Sequence, residues 1–341
     1  CGTFARPCMF NFNNVEMLVG GGSGRVVRLT RSFDMIELLK NELGGEILFE
    51  PAFTEDTPWI TDLVGENAKN SDISLVFAGT GSRVETEGRD REPAMKLFSA
   101  IDRVILDVAE ANPNTVVVLF AGAPIDMSAW INKVAAVVWA GFPGEKGGEA
   151  IANVLTGKVN ASGKLTETFP VHYEDTPAAK GRITTTATHY EEGVFVGYRY
   201  YDTYGKDVLF PFGFGLSYSS FAYRNLQLCA KGGLNLEVEF EIENESAVDG
   251  KEVAEVYVRA IGSSVVRPNK ELKAFCKTQV KAGGKATVRV SLGREAFTYW
   301  SEAEGRFAVE DCEYEIVIAA SAKDERLCAK IRISGGEITV L

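Results

Sequence analysis

Three runs constrain this chain more than anything else in it. ISLVFAG (73–79), TVVVLFAG (115–122) and KVAAVVWAG (133–141) are apolar almost throughout. A strand with one wet face alternates polar and apolar residues, because successive side chains point to opposite faces. A run apolar on both faces has to be covered on both, and such strands separated by helices mark a parallel sheet. The sequence between them supplies the helices. SFDMIELLKNEL (32–43), TPWITDLVGENAKN (57–70), AMKLFSAIDRVILDVAEA (94–111) and GEAIANVLTG (148–157) carry apolar residues at helical spacing. Ser32 is placed to cap the first, Gly44-Gly45 to stop it, and Asn112-Pro113 to end the third. EILFE (46–50) reads as one further short strand. Residues 1–172 are therefore expected to be an α/β domain, a mostly parallel sheet sandwiched by helices.

The texture changes from about residue 223. LNLEVEFEIEN (234–244), KEVAEVYVRA (251–260), KATVRVSL (285–292) and YEIVIAAS (314–321) alternate apolar with polar residues. Turn signals such as Lys281-Ala282-Gly283-Gly284 separate them. This spacing predicts an all-β antiparallel sandwich over 223–341. Residues 173–222 lie between the two patterns, rich in Gly, Tyr, Phe and Thr and without a period, and read as an irregular linker.

Composition narrows the function classes. With 341 residues, 45% of them hydrophobic, there is material for two cores. A formal net charge of -11 repels phosphate backbones and argues against nucleic acid as a partner. No apolar run approaches the ~20 residues that span a bilayer, so no membrane role is expected. The N-terminal CGTFARPCMFNFNN shows no basic region followed by an apolar one, hence no visible signal peptide, and no initiator Met. The sequence is read as beginning inside a longer protein. The cysteines, Cys1, Cys8, Cys229, Cys276, Cys312 and Cys328, form no CxxC pair, so reduced, mostly buried thiols are expected. A cytoplasmic setting is favoured and a secreted one kept open. The only histidines are His172 and His189, and no His/Cys/carboxylate cluster has ligand spacing. Neither a metal nor an organic cofactor is expected.

Open parallel sheets bind ligands at the carboxyl ends of their strands, in the loops leading to the next helix. GTGSRVETEGRDREP (79–93), AGAPIDMS (121–128) and AGFPGEKGG (140–148) are three such loops, and the predicted sheet puts them on one edge. Their glycines do not make a nucleotide site. Neither GGGSGR (20–25) nor GFPGEKGG (141–148) has G-x-G-x-x-G spacing or the Lys-Ser/Thr of a phosphate loop. GGGSG (20–24) fits G-x-S-x-G around Ser23, but RVVRL follows it as an extended run where a nucleophile elbow needs a helix. The octet ETEGRDRE (85–92) remains, four carboxylates and two arginines at the end of a buried strand. Carboxylates beside arginines commonly form solvated ion pairs of little energy. The same residues could supply a carboxyl that holds a proton near neutral pH and gives it to a leaving group. On local sequence both readings stand.

ETEGRDRE after an apolar strand resembles the E-x-E-G-x-D-R loop in the second domain of glycoside hydrolase family 3 β-glucosidases. The likeness runs along nearly the whole chain. GGGSGRV (20–26) resembles that domain's first glycine-rich turn, and ANPNTVVVLFAGAPIDM (111–127) its next helix–strand–loop. WAGFPGEKGGEAIANVLTGKVNASGKLTETFP (139–170) is similar to the signature ending in P-S-G-K-L-x-x-T-F-P. YEEGVFVGYRYYDTYGKDVLFPFGFGLSYSSFAY (190–223) resembles the segment leading into the third domain. GKEVAEVYV (250–258) and PNKELKAFCK (268–277) resemble the fibronectin type III-like domain that closes these enzymes.

The resemblance implies retaining hydrolysis of terminal β-D-glucosyl, or β-xylosyl, residues from a β-glucoside or oligosaccharide. Two carboxylates about 5–5.5 Å apart perform it. By the family pattern Glu87, the Glu before Gly, is the general acid/base. Asp90 and Arg91 shape the loop, Glu85 is a solvated neighbour, and Asp126 is structural. After Arg91, where the family runs to Leu-Pro, this sequence has Glu92-Pro93. The family nucleophile is an Asp in an S-D-W-type motif on a (β/α)8 barrel. Neither that motif nor a barrel of about 250 residues fits in this sequence. The implied partner is a barrel domain of the same or a companion chain, and this chain alone is expected to hydrolyse little or nothing. The Glu87 pKa is expected to rise only when the barrel covers it, because desolvation produces the shift. Homo-oligomerisation is left open. The aromatic-rich segment 190–218 leads away from the strand-end loops and is read as packing against neighbouring domains rather than stacking on sugar. The rival reading is a non-catalytic carbohydrate-binding or structural module that kept the fold.

Overall fold

The computed structural model describes residues 35–43, 47–48, 63–80, 85, 94–144, 146–180, 187 and 189–341. They fall into two units. The first holds the described residues up to Val159 with Val171–Tyr173; the second holds Asn160–Pro170 with Glu174–Leu341.

In the first unit the apolar runs form β1 (Ser74–Gly79), β2 (Thr115–Phe120) and β3 (Ala136–Trp139), all parallel, in the order β1-β2-β3. Gly79 stands opposite Phe120 and Leu119 opposite Trp139, so the strands end together. Helices α1 (Met35–Leu43), α2 (Leu63–Lys69), α3 (Ser99–Ala111) and α4 (Gly147–Leu155) accompany them. Leu75, Phe77, Val118 and Phe120 share one core with Leu39 of α1 and Ile151 and Ala152 of α4. The alternate positions, Val76, Ala78, Val117 and Leu119, are buried on the other face, where α3 contacts β1 and β2 and packs on α2. Coverage on both sides is why β1 and β2 carry no polar alternation. β3 departs from the expectation, since it pairs only with β2 among the described strands, Ala136 is exposed and Val137, Val138 and Trp139 are half-buried. Asn112 ends α3 and closes the α2–α3 junction. Its buried Nδ2 donates to Ala68 O at 3.0 Å and Ser71 O at 2.7 Å, and its Oδ1 accepts from Asn114 N at 2.9 Å. It thereby satisfies carbonyls left over at the end of α2.

Two local expectations differ. α3 starts at Ser99 rather than at 94, because Met95 adopts φ +54° and commits its carbonyl to Asp126 N. Ile47 packs against the core, but neither it nor Leu48 joins a strand. The rest of 46–50, the glycine-rich run with Ser23, Ser32, Gly44-Gly45 and the start of the 57–70 helix lie outside the described residues. Among the described residues no helix is long and apolar enough to cross a membrane.

The second unit is antiparallel. Its strands are β4 (Phe221–Ala230), β5 (Leu236–Asn244), β6 (Gly250–Ile261), β7 (Glu271–Val280), β8 (Lys285–Leu292), β9 (Thr298–Ser301), β10 (Arg306–Val309), β11 (Glu313–Ser321), β12 (Asp324–Ser334) and β13 (Glu337–Val340). One sheet runs β4-β5-β8, the other β13-β12-β11-β6-β7, and β9 and β10 make a separate hairpin. Val238, Phe240 and Ile242 share a core with Val256, Val258, Ile316 and Ile331. On the opposite face of the larger sheet, Tyr257, Val317 and Ala319 meet Tyr198 and Phe212, whose rings stack at 5.1 Å. Tyr198 begins α5 (Tyr198–Thr203). The aromatics of 190–218 thus include core residues of their own unit. Residues 160–170 belong here too. Leu165 N donates to Phe214 O at 2.8 Å, Phe169 N to Phe210 O at 2.8 Å, and Asn160 Nδ2 to Ser219 Oγ at 2.8 Å.

Cys229 and Cys328 are exposed, Cys276 and Cys312 half-buried, and all four are free thiols. The expectation of mostly buried thiols is met only in part. Cys276 and Cys312 pack against the sandwich core, whereas Leu228 and Leu327 take the core-facing positions and turn Cys229 and Cys328 outward. Cys1 and Cys8 lie outside the described residues.

Glu255 is buried under this sheet, accepting from Tyr257 Oη at 2.6 Å. Burial pushes its carboxyl from 4.5 up to about 7, against the Tyr257 hydrogen bond and the charges of Lys164 and Lys270. The folded chain therefore holds this proton more tightly than the unfolded one. The stability involved is complete below pH 4.5 and is lost as pH rises through about 7. At full effect it amounts to about 3 kcal/mol. Thermal unfolding of Glu255→Gln across this range should show a flatter pH slope than wild type. Equal slopes would assign the dependence elsewhere.

Candidate active site

All three strand-end loops meet at Gly122. β1 ends at Gly79, where a Cβ would stand 2.1 Å from Phe120 O, so only glycine lets the strands run this close to their ends. Thr80 follows, buried, with its N–H on Phe120 O at 2.9 Å and its Oγ1 donating to Glu85 Oε1 at 2.7 Å. The same carboxylate oxygen accepts from Gly122 N at 3.4 Å. A Cβ on Gly122 would stand 2.6 Å from Phe142 Cε2, on the third loop, and 3.5 Å from Glu85 Oε2. One carboxylate thus ties the first loop to the second, beneath a ring from the third. Glu85 is half-buried and anchored, not the solvated neighbour expected from sequence, because its carboxylate turns back to the end of β1.

The first loop is fastened again at its far end. Asp126 N donates to Met95 O at 2.5 Å, and Met95 is buried at its left-handed φ. A non-glycine residue holds such a conformation only where its surroundings enforce it. The Asp126 carboxylate accepts from Ser128 N at 2.9 Å and lies 3.1 Å from His172 Nδ1. Burial alone would raise its pKa, but the hydrogen bonds from Ser128 and His172 outweigh that and hold it below the usual carboxylate range. Nearby, Trp130 is wholly buried and its Nε1 donates to Asp102 Oδ1 at 2.9 Å. Burial pushes the Asp102 carboxyl up, and the Asp126 charge adds to it.

Glu87, Asp90 and Arg91 lie outside the described residues, between the Glu85 and Met95 anchors in sequence. Thr80, Phe142 and the Asp126–His172 pair were not singled out by sequence reasoning as a group. Asp126 was noted as structural, and His172 only as one of two histidines outside any metal-ligand spacing. Forty-six positions separate it from His172, and no local pattern joins them. Among the described residues no group of three or more His, Cys, Asp or Glu side chains is placed to hold a metal ion.

The anchor gives a direct expectation. Removing a carboxylate that accepts two hydrogen bonds costs about 1.5–3 kcal/mol locally. In Glu85→Ala, trypsin cleavage after Arg83, Arg89 or Arg91 should accelerate about tenfold or more. An unchanged rate would mean that Glu85 does not hold the loop.

Comparison with known proteins agrees with this architecture. Residues 2–218 match the glycosyl hydrolase family 3 C-terminal domain, and residues 252–322 a fibronectin type III-like domain. The chain is 37% identical to an exo-α-(1→6)-L-arabinopyranosidase of Bifidobacterium longum, covering 89% of this chain and 41% of that protein. It is 38% identical to thermostable β-glucosidase B of Acetivibrio thermocellus, covering 92% of this chain and 43% of that protein. The solved β-glucosidase of Bifidobacterium adolescentis superposes with a TM-score of 0.86 at 36% identity, covering 92% of this chain and 47% of that one. The chain thus spans less than half the length of these relatives. A parallel sheet with its strand-end loops drawn together, an antiparallel sandwich after it, and a family match over most of the sequence place this chain in glycoside hydrolase family 3.

Proposed function

We propose that this chain supplies the general acid/base of a retaining exo-glycosidase, with Glu87 in that role. Asp90 and Arg91 shape the loop around it. The nucleophile is an Asp on a (β/α)8 barrel outside this sequence, in the same or a companion chain. The reading rests on one observation above others. The loop that carries Glu87 is fastened to its neighbour on both sides, at Glu85–Gly122 and at Met95–Asp126. A catalytic carboxyl has to be held within a fraction of an ångström of its working position, and a loop anchored at both ends favours that.

The chemistry balances in two steps. The barrel carboxylate bonds to the anomeric carbon as the glycosidic bond breaks, and Glu87 gives its proton to the departing oxygen. Water then loses a proton to Glu87 and displaces the carboxylate, restoring both groups. The substrate is a terminal equatorial pyranoside, β-D-glucosyl or β-xylosyl. The relatives' names, a β-glucosidase and an exo-α-(1→6)-L-arabinopyranosidase, both denote glycosidases, which supports the reaction class. The test combines this chain with a family 3 barrel and follows nitrophenol release from aryl β-glucoside. Activity should require both parts and an intact Glu87. Equal activity with Glu87→Ala would remove that residue from the mechanism.

A further inference from the structure

A cleft of about 1230 Å³ opens beside the β9–β10 hairpin of the second unit, lined by residues of 265–273 and 294–307 and by Val194. It contains no residue of the strand-end loops. We propose that it binds a neutral oligosaccharide without hydrolysing it.

Exposed aromatic rings line the cleft. Trp300 and Phe307 are cross-strand partners on the hairpin, 54% and 59% exposed, with ring centroids 5.3 Å apart at 75°. Two large rings left in water at one spot mark a contact surface more often than chance exposure. Tyr299 lines the cleft too, with the Arg267 guanidinium 5.7 Å from its ring centroid. Arg267 is only 8% exposed, and its Nη2 lies 3.2 Å from Glu271 Oε2 and 3.5 Å from Thr298 O. The base of the hairpin is thereby fixed, so the rings need little ordering when a ligand arrives.

The walls decide which ligand. Arg267, Lys273 and Arg294 line the cleft together with Glu271, Glu295, Glu302 and Glu304. The two signs nearly cancel, so no field favours an anion or a cation. A purely apolar ligand would take these charges out of water, and pairs such as Arg267–Glu271 and Lys273–Glu271 offset only part of that cost. A pyranose ring meets all three conditions. Its hydroxyls donate to carboxylates and accept from guanidinium and ammonium groups, while its C–H face lies flat on an indole. The volume exceeds the roughly 300–1,000 Å³ of a drug-sized ligand pocket, which suits several linked rings rather than one.

The test is calorimetric titration of the chain with cellotetraose, on wild type and on Trp300→Ala, Phe307→Ala, Phe275→Ala and Glu87→Ala. Phe275 is an exposed aromatic on β7 outside the cleft. Saturable binding is expected in wild type, unchanged in Phe275→Ala and Glu87→Ala. Trp300→Ala and Phe307→Ala should each weaken it about tenfold or more, as truncating an aromatic anchor does. Trp300→Phe should recover part of the loss, which a misfolded hairpin would not. No saturable binding in wild type overturns the proposal. So does binding that survives in both Trp300→Ala and Phe307→Ala. Loss in Glu87→Ala alone would put the sugar at the strand-end loop and overturn the cleft while leaving the catalytic reading intact. A wild-type chain that sediments as a dimer, with Trp300→Ala monomeric and no sugar bound, would make the cleft a protein contact instead.

Discussion

Glu87→Ala should lower hydrolysis of an unactivated disaccharide by the barrel-complemented chain about 10²–10⁴-fold, the usual contribution of a positioned acid/base. The loss should shrink on a nitrophenyl glycoside, because a good leaving group hardly needs the proton. The second step would then limit the rate, since water still needs a base. Azide needs none, and should restore turnover by forming a β-glycosyl azide with retained configuration. Glu85→Ala separates the two carboxylates of the octet. It should also slow hydrolysis, through a loosened loop, but azide should not rescue it, because an anchor cannot be replaced by a nucleophile. Rescue of Glu85→Ala, with none for Glu87→Ala, would exchange the two roles.

The second large effect is on stability. Lys270→Met should destabilise the second unit by about 3–5 kcal/mol, the cost of stranding a buried charge partner. Lys270 is 2% exposed. Its Nζ lies 3.0 Å from both carboxylate oxygens of Asp202 and 2.9 Å from Glu325, and 5.6 Å from the Tyr257 ring centroid. Asp202 also accepts from Asn269 Nδ2 at 2.8 Å, so the pair fixes α5 to the chain entering β7. With the lysine gone, a nearly buried carboxylate keeps its desolvation cost and loses its counter-charge. Lys270→Met/Asp202→Asn should regain most of the loss, since no charge is left stranded. Urea denaturation of the two variants checks this. A single-variant cost under about 1 kcal/mol would mean that water reaches the site and the pair behaves as a surface bridge.

What the sequence showed depended on how uniform each segment's surroundings are. β1 and β2 are covered on both faces, so every residue reports the same environment, and the runs stood out. β5 alternates buried and half-buried residues along its whole length, and its period-2 pattern was equally plain. β4, β7 and β12 were not picked out. Much of each is exposed or half-buried, and a strand that packs on few neighbours carries little pattern. The start of α3 was misplaced because 94–98 has helical composition, while a tertiary hydrogen bond from Asp126 claims the Met95 carbonyl. The site was legible as an edge, since strand order fixes where loops emerge. It was not legible as contacts. Nothing in ETEGRDRE says that its first carboxylate turns back to Thr80 and reaches a glycine thirty-seven positions on.

Residues 160–170 carry a consequence for inheritance. They precede residues 171–173, which return to the first unit, yet their hydrogen bonds run to Phe210, Phe214 and Ser219 in the second. Lys164 adds a link to Glu252, which also accepts from the Tyr223 hydroxyl. The backbone therefore passes between units three times, and no single cut yields two whole pieces. Recombination that transplants the sandwich must bring this segment along or leave its donors and acceptors unmet. Residues 160–170 should thus be exchanged between relatives as one block with the sandwich, however freely the flanking parts are shuffled.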